Sequence, residues 1–166
     1  RLMNPTTDVL EQRVAALDGG AAALGIASGT SAVFYSIINV AQEGDEIVSA
    51  NNLYGGTYTQ FNDILPKFGI NVKFVDPNNP QNYAAAITDK TKALFCETVS
   101  NPGLDVADLE AIGKIAAEHE IPLIVDSTFS TPYLTRPIEH GASIVVHSLT
   151  KWLGGHGNGI GGVVVD

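Results

Sequence analysis

Short apolar runs rich in β-branched residues alternate along the chain with stretches in which apolar positions recur every three or four residues. The two periods predict strands and helices in turn. Val9, Leu10, Val14 and Leu17 have helical spacing, with Thr7 and Asp8 as cap candidates and Gly19-Gly20 as the stop. A small-residue strand at 21–27 follows, then a turn over Ser28, Gly29, Thr30 and Ser31, then a helix at 32–40 ended near Gly44. The pattern continues with a strand at 46–49, a loop at 51–56, a helix at 57–68 whose end is blurred by Pro66, and a strand at 71–75. The connector 76–80 is turn-rich and too short for a domain linker. A brief helix at 83–87, a strand at 92–97 and a loop at 100–103 come next. An amphipathic helix at 108–118 runs through Leu109, Ile112, Ile115 and Ala116. A strand at 122–126 ends in Asp126, a loop spans 127–136, a strand at 142–146 leads to Lys151, and a strand at 160–165 closes the order. Such alternation predicts the α/β class, with a mostly parallel sheet covered by helices on both faces.

Composition narrows the picture. The length of 166 residues is that of one domain, and 45% hydrophobic residues suffice for a sizeable core. Nine basic residues against 18 acidic ones give a net charge of -9, which argues against nucleic acid or an anionic membrane as partner. A bound anion must therefore be held locally. The single cysteine, Cys96, lies in an apolar run after Ala93, Leu94 and Phe95. It is expected to be a buried structural thiol, in a chain without internal disulfides and in a reducing, cytoplasmic setting. No apolar run approaches the ~20 residues that cross a bilayer, and no signal-peptide pattern opens the chain. His119, His140, His147 and His156 have no metal spacing, so no metal is expected. The opening at Arg1 and the stop at Asp166 directly after a strand lead us to expect one cofactor domain of a longer protein.

The chemistry gathers at Lys151. It follows the β-branched run Ile144, Val145 and Val146 and stands among Ser148, Thr150, Trp152, Gly154 and Gly155, at the strand edge where open α/β sheets bind ligands. This suits an amine that condenses with a carbonyl beside a bound phosphate, as a pyridoxal 5'-phosphate (PLP) site requires. The plainer reading is a strand followed by a surface lysine. Ser28-Gly29-Thr30-Ser31, between a strand and a helix, either cradles a phosphate on backbone N–H groups or is an ordinary capped turn. Asp126 closes an apolar strand, where a carboxylate wants a cation such as a protonated pyridine nitrogen; otherwise it caps the next turn. Tyr54 offers a ring face for stacking, and Asn101 a donor to a phenolic oxygen, although each alone reads first as a turn residue. Gly157-Asn158-Gly159-Ile160-Gly161-Gly162 matches a dinucleotide fingerprint literally, but a strand follows it where the fingerprint needs a helix.

Taken in order, Arg1 with Asn4-Pro5-Thr6, Ser28 to Ala32, Tyr54 to Thr57, Glu97 with Asn101-Pro102, Val125 to Phe129 and Ser148 to Trp152 resemble the PLP-dependent enzymes of cysteine and methionine metabolism, the transsulfuration family. The run from Thr150 to Gly157 is most similar to the sulfhydrylases acting on O-acetylhomoserine. The resemblance implies a fold type I, aspartate aminotransferase-like large domain over residues 1–166, followed in the family by a smaller domain. It implies that Lys151 carries PLP and moves protons, that Tyr54 stacks on the ring, and that Asp126 pairs with the pyridine nitrogen. By the same resemblance Gly29, Thr30, Ser148 and Thr150 bind the phosphate, Asn101 contacts the ring hydroxyl, and Thr128 supports the ring. Arg1 would reach the phosphate of a neighbouring subunit, in a homo-oligomer built as a dimer of dimers. The implied reaction is γ-replacement of acetate on O-acetyl-L-homoserine by sulfide or a thiol, with little turnover expected of this segment alone. Lyase or cystathionine-forming activity at the same site is the alternative within the family, and a non-catalytic anion-binding module the alternative outside it.

Overall fold

The computed structural model describes residues 4–166, so Arg1 lies outside the described residues. Helix α1 (Pro5–Asp18) starts earlier than its cap candidates suggested. The side-chain oxygen of Asn4 accepts the N–H groups of Thr6 at 2.9 Å and Thr7 at 3.3 Å. Pro5 fits the first helical position, where no N–H is needed, so the cap is Asn4 and neither Thr7 nor Asp8. Strand β1 (Ala23–Ile26) leads into α2 (Gly29–Val40). The Ser28–Ser31 stretch is therefore not a separate turn but the cap and first turn of α2, because the Ser28 hydroxyl accepts the Ser31 N–H at 3.1 Å.

After β2 (Glu46–Ala50), α3 (Gly55–Thr59) passes into a π turn (Gln60–Ile64) and a 3-10 turn (Leu65–Phe68). Pro66 has no N–H and its ring crowds the carbonyl four residues back, so the α pattern cannot run through it. The order continues with β3 (Asn71–Val75), α4 (Gln81–Ala86), β4 (Thr91–Glu97), α5 (Leu109–Glu118) and β5 (Leu123–Asp126). The stretch 127–136, expected as loop, holds the short helix α6 (Thr131–Leu134), and β6 (Ile144–Ser148) and β7 (Gly162–Val165) end the chain.

The sheet has seven strands in the order β1-β7-β6-β5-β4-β2-β3. Strands β2 to β6 pair in parallel, whereas β7 runs antiparallel to both β1 and β6. The sheet is thus mostly parallel with one reversed strand. A glycine-rich return without a crossover helix joins β6 to β7, and such a connection can only reverse the chain. Helix α2 packs on β6 and β7, α4 on β2 and β3, and α5 on β5. Val48, Leu94, Phe95, Ile124 and Val145 are completely buried between these layers. That explains the continuous apolar runs of the central strands. Cys96 is buried among them, and burial pushes its thiol up to about 12, consistent with a structural role. The parallel β4, β5 and β6 end side by side at one edge, in Glu97, Asp126 and Ser148.

Candidate functional site

At that edge, under the N-terminus of α2, opens a cavity of about 360 Å³. Gly29, Thr30, Tyr54, Asn101, Asp126, Thr128, Ser148, Thr150 and Lys151 all line it. Every site residue expected from the sequence is brought together there except Arg1, which lies outside the described residues.

One end of the cavity is uncharged and tightly nested. A Cβ added to Gly29 would stand 2.5 Å from the Cβ of Ser148, so only glycine lets the start of α2 approach the end of β6. A Cβ on Gly162 would run into the carbonyl oxygen of Ser28. The last glycine of the discarded dinucleotide pattern thus serves to seat β7 under the helix cap. The first N–H groups of α2 face this end with the positive end of the helix dipole. The Thr150 hydroxyl donates to the Gly161 carbonyl at 3.3 Å and accepts the Gly161 N–H at 3.1 Å, so it also pins the glycine return. The Ser148 hydroxyl has no hydrogen-bond partner among the described residues and is open to an anion.

The other end is acidic. Glu97 and Asp126 are paired neighbours on β4 and β5, and both line the cavity. Asp126 Oδ1 accepts the Thr128 N–H at 2.9 Å. Burial nonetheless raises the Asp126 carboxyl above its ordinary range, against the opposing pull of the Thr128 hydrogen bonds and of His147. Burial, with the charge of Asp126, likewise pushes Glu97 up to about 8, although the backbone N–H groups of Tyr54 and Asn101 stabilise its charged form. The two ends are linked: the Thr128 hydroxyl accepts the Ser148 N–H at 2.8 Å while its own N–H holds Asp126.

These features fit PLP. A desolvated carboxylate with no cation in contact gains most from a protonated ring nitrogen. A helix start beside a free hydroxyl receives a phosphate dianion. Lys151 extends into the cavity, exposed, with no partner for its amine among the described residues. Tyr54, at the cavity wall and half exposed, presents an open ring face.

Glu97 is the site residue that sequence reasoning did not single out. In sequence it stands only as part of the motif with Asn101-Pro102, whereas in the fold its Oε1 accepts the Tyr54 N–H at 2.8 Å across 43 positions of sequence. His147 was also passed over. It is fully buried, with Nε2 2.7 Å from Asp18 Oδ2, and ties α1 to β6 just before Ser148. Its signal was a histidine inside a buried β-branched run, where an unpartnered ring is costly.

Residues 1–166 match the family described as Cys/Met metabolism PLP-dependent enzyme. The chain is 55% identical to the O-acetyl-L-homoserine sulfhydrylase of Leptospira meyeri, covering 100% of this chain and 38% of that protein. It is 53% identical to the homocysteine synthase of Schizosaccharomyces pombe, covering 100% of this chain and 39% of that protein. The crystal structure of a candidate O-acetylhomoserine (thiol)-lyase from Campylobacter jejuni superposes with a TM-score of 0.98 at 42% identity, over 99% of this chain and 41% of that one. That structure carries N'-pyridoxyl-lysine-5'-monophosphate at one position. The chain therefore spans about two fifths of the length of these relatives.

Proposed function

We propose that the chain, which belongs to the Cys/Met metabolism family of PLP-dependent enzymes, builds the cofactor site of an enzyme that replaces the acetate of O-acetyl-L-homoserine with sulfide or a thiol. The products are homocysteine, or methionine from methanethiol, plus acetate. One observation carries the reading: the unpartnered Lys151 and the desolvated Asp126 line one cavity beneath a helix start, in a chain 55% identical to an O-acetyl-L-homoserine sulfhydrylase.

When bound, PLP supplies an aldehyde for the amino acid's amine and a ring that withdraws electrons from the carbons beside it. The protein's part is to hold and to move protons. Asp126 keeps a proton on the ring nitrogen by pairing with it. The amine of Lys151 would hold the cofactor at rest and, once freed, take protons from Cα and Cβ of the substrate so that acetate can leave Cγ, and return protons to Cβ and Cα after the sulfur nucleophile has added at Cγ. Tyr54 limits the tilt of the ring, and Asn101 faces its hydroxyl. Gly29, Thr30 and Ser148 anchor the phosphate, with Thr150 holding the glycine return beside it. Thr128 couples the two ends. Arg1 would serve the phosphate of a neighbouring copy in a homo-oligomer.

The full-length protein, assayed with O-acetyl-L-homoserine and sulfide, is expected to release homocysteine and acetate in equal amounts. Turnover of cystathionine in place of this reaction would assign the site to the lyases of the same family. No turnover of either by a PLP-loaded protein would overturn the reading.

A further inference from the structure

We propose that Glu97 is a positioning residue for the cofactor, its carboxyl holding the loop of Tyr54, with Asn101 beside it, over the ring end of the cavity next to Asp126. The inference rests on the cofactor reading above. Glu97 closes β4, points into the cavity and is paired with Asp126 on β5. Its Oε1 accepts the Tyr54 N–H at 2.8 Å, and the Asn101 backbone lies near enough to favour its charged form. Tyr54 stands at the start of α3 without a side-chain cap, so its N–H is one of the orphan donors of a helix start. Glu97 satisfies it from a different strand.

Two adjacent carboxylates thereby have separate work. A single ring nitrogen can offer one proton, and Asp126 is placed to take that partner. Glu97 gives an acceptor to the backbone N–H of the Tyr54 loop, with the Asn101 backbone beside it. A carboxyl oxygen that satisfies a backbone N–H from 43 positions away suits a clamp on the otherwise exposed Tyr54 loop. Half-buried at the strand edge, it also fixes how far Tyr54 can slide across the ring face.

The test uses the full-length protein freed of PLP, as wild type, Glu97→Gln and Glu97→Ala. Each is titrated with PLP, with the dissociation constant read from absorbance and the ring's setting read from the visible circular dichroism of the bound cofactor. Glu97→Ala is expected to weaken PLP binding about tenfold or more and to cut the visible dichroism by about half, while the far-ultraviolet signal stays unchanged. Glu97→Gln keeps one acceptor oxygen and should fall between. A purely structural glutamate would change thermal stability and leave the visible band alone. Wild-type affinity and wild-type dichroism in both variants would overturn the proposal, and Glu97→Gln decides it alone if Glu97→Ala does not fold. A wild type that takes up no PLP would remove the cofactor reading, and the role of Glu97 with it, whereas wild-type uptake unaltered in the variants removes this inference only.

Discussion

The two ends of the cavity are built on opposite principles. Among the described residues the proposed phosphate end has no ionised side chain: it consists of a helix start, the Ser148 hydroxyl and glycines packed so closely that a methyl group at Gly29 or Gly162 has no room. The ring end is made of loop and strand termini and holds Glu97 and Asp126, both displaced upward by burial. In the proposed reading a dianion would be received by shape and backbone dipoles in a chain of net charge -9, and a cationic ring by desolvated carboxyls that gain their charge on pairing with it. Substitutions at the first end should therefore act through packing, and those at the second through electrostatics.

The largest effect is expected from Gly162→Val. The new side chain meets backbone of Ser28 and Gly29 that cannot yield, so a loss of about 3 kcal/mol in stability should accompany loss of PLP uptake; thermal unfolding and cofactor titration check it. Asp126→Asn should separate the two quantities. PLP affinity falls about a hundredfold, because the ring cation loses its counter-charge. The cofactor-free protein should melt no lower than wild type, since a desolvated carboxyl has gone. Parallel falls in both would contradict the electrostatic account of this end. Ser148→Ala removes one free hydroxyl and should weaken PLP about fivefold to tenfold, roughly the ~1 kcal/mol of one hydrogen bond, with little change in unfolding temperature.

The smallest effect concerns pH. Burial pushes Glu97 up to about 8, against 4.5 for a free side chain. The folded state therefore holds a proton that the unfolded chain has released, and stability falls as pH rises from about 4.5 through about 8. Glu97→Gln should lose that part of the slope, so the gap between variant and wild-type unfolding temperatures should widen in favour of the variant from pH 5 to pH 8. A gap independent of pH would contradict the assignment of a raised carboxyl at Glu97.

What could be read in advance follows from how local each cause is. Lys151, Asp126 and the Ser28 turn were legible because each motif sits at a strand end, and strand ends announce themselves by a period change within a few residues. The buried parallel strands were legible for the same reason. The reversal of β7 was not, since its β-branched run Val163, Val164 and Val165 reads alike in either direction. Asn4 was missed as a cap because Thr7 and Asp8 compete as equally good capping residues closer to the apolar pattern. Glu97 escaped notice because its meaning depends on register: only the pairing with Asp126 and a loop 43 positions away turn an ordinary glutamate into a clamp. The His147–Asp18 pair, 129 positions apart, is a still longer case.

The central claim is that the amine of Lys151 carries PLP. Reduction of the PLP-loaded full-length protein with borohydride, followed by peptide mapping, tests it most directly. The expected result is a pyridoxyl phosphate adduct on Lys151 alone, absent from Lys151→Ala. An adduct spread over other lysines, or none on Lys151 in a folded, PLP-saturated protein, would contradict it.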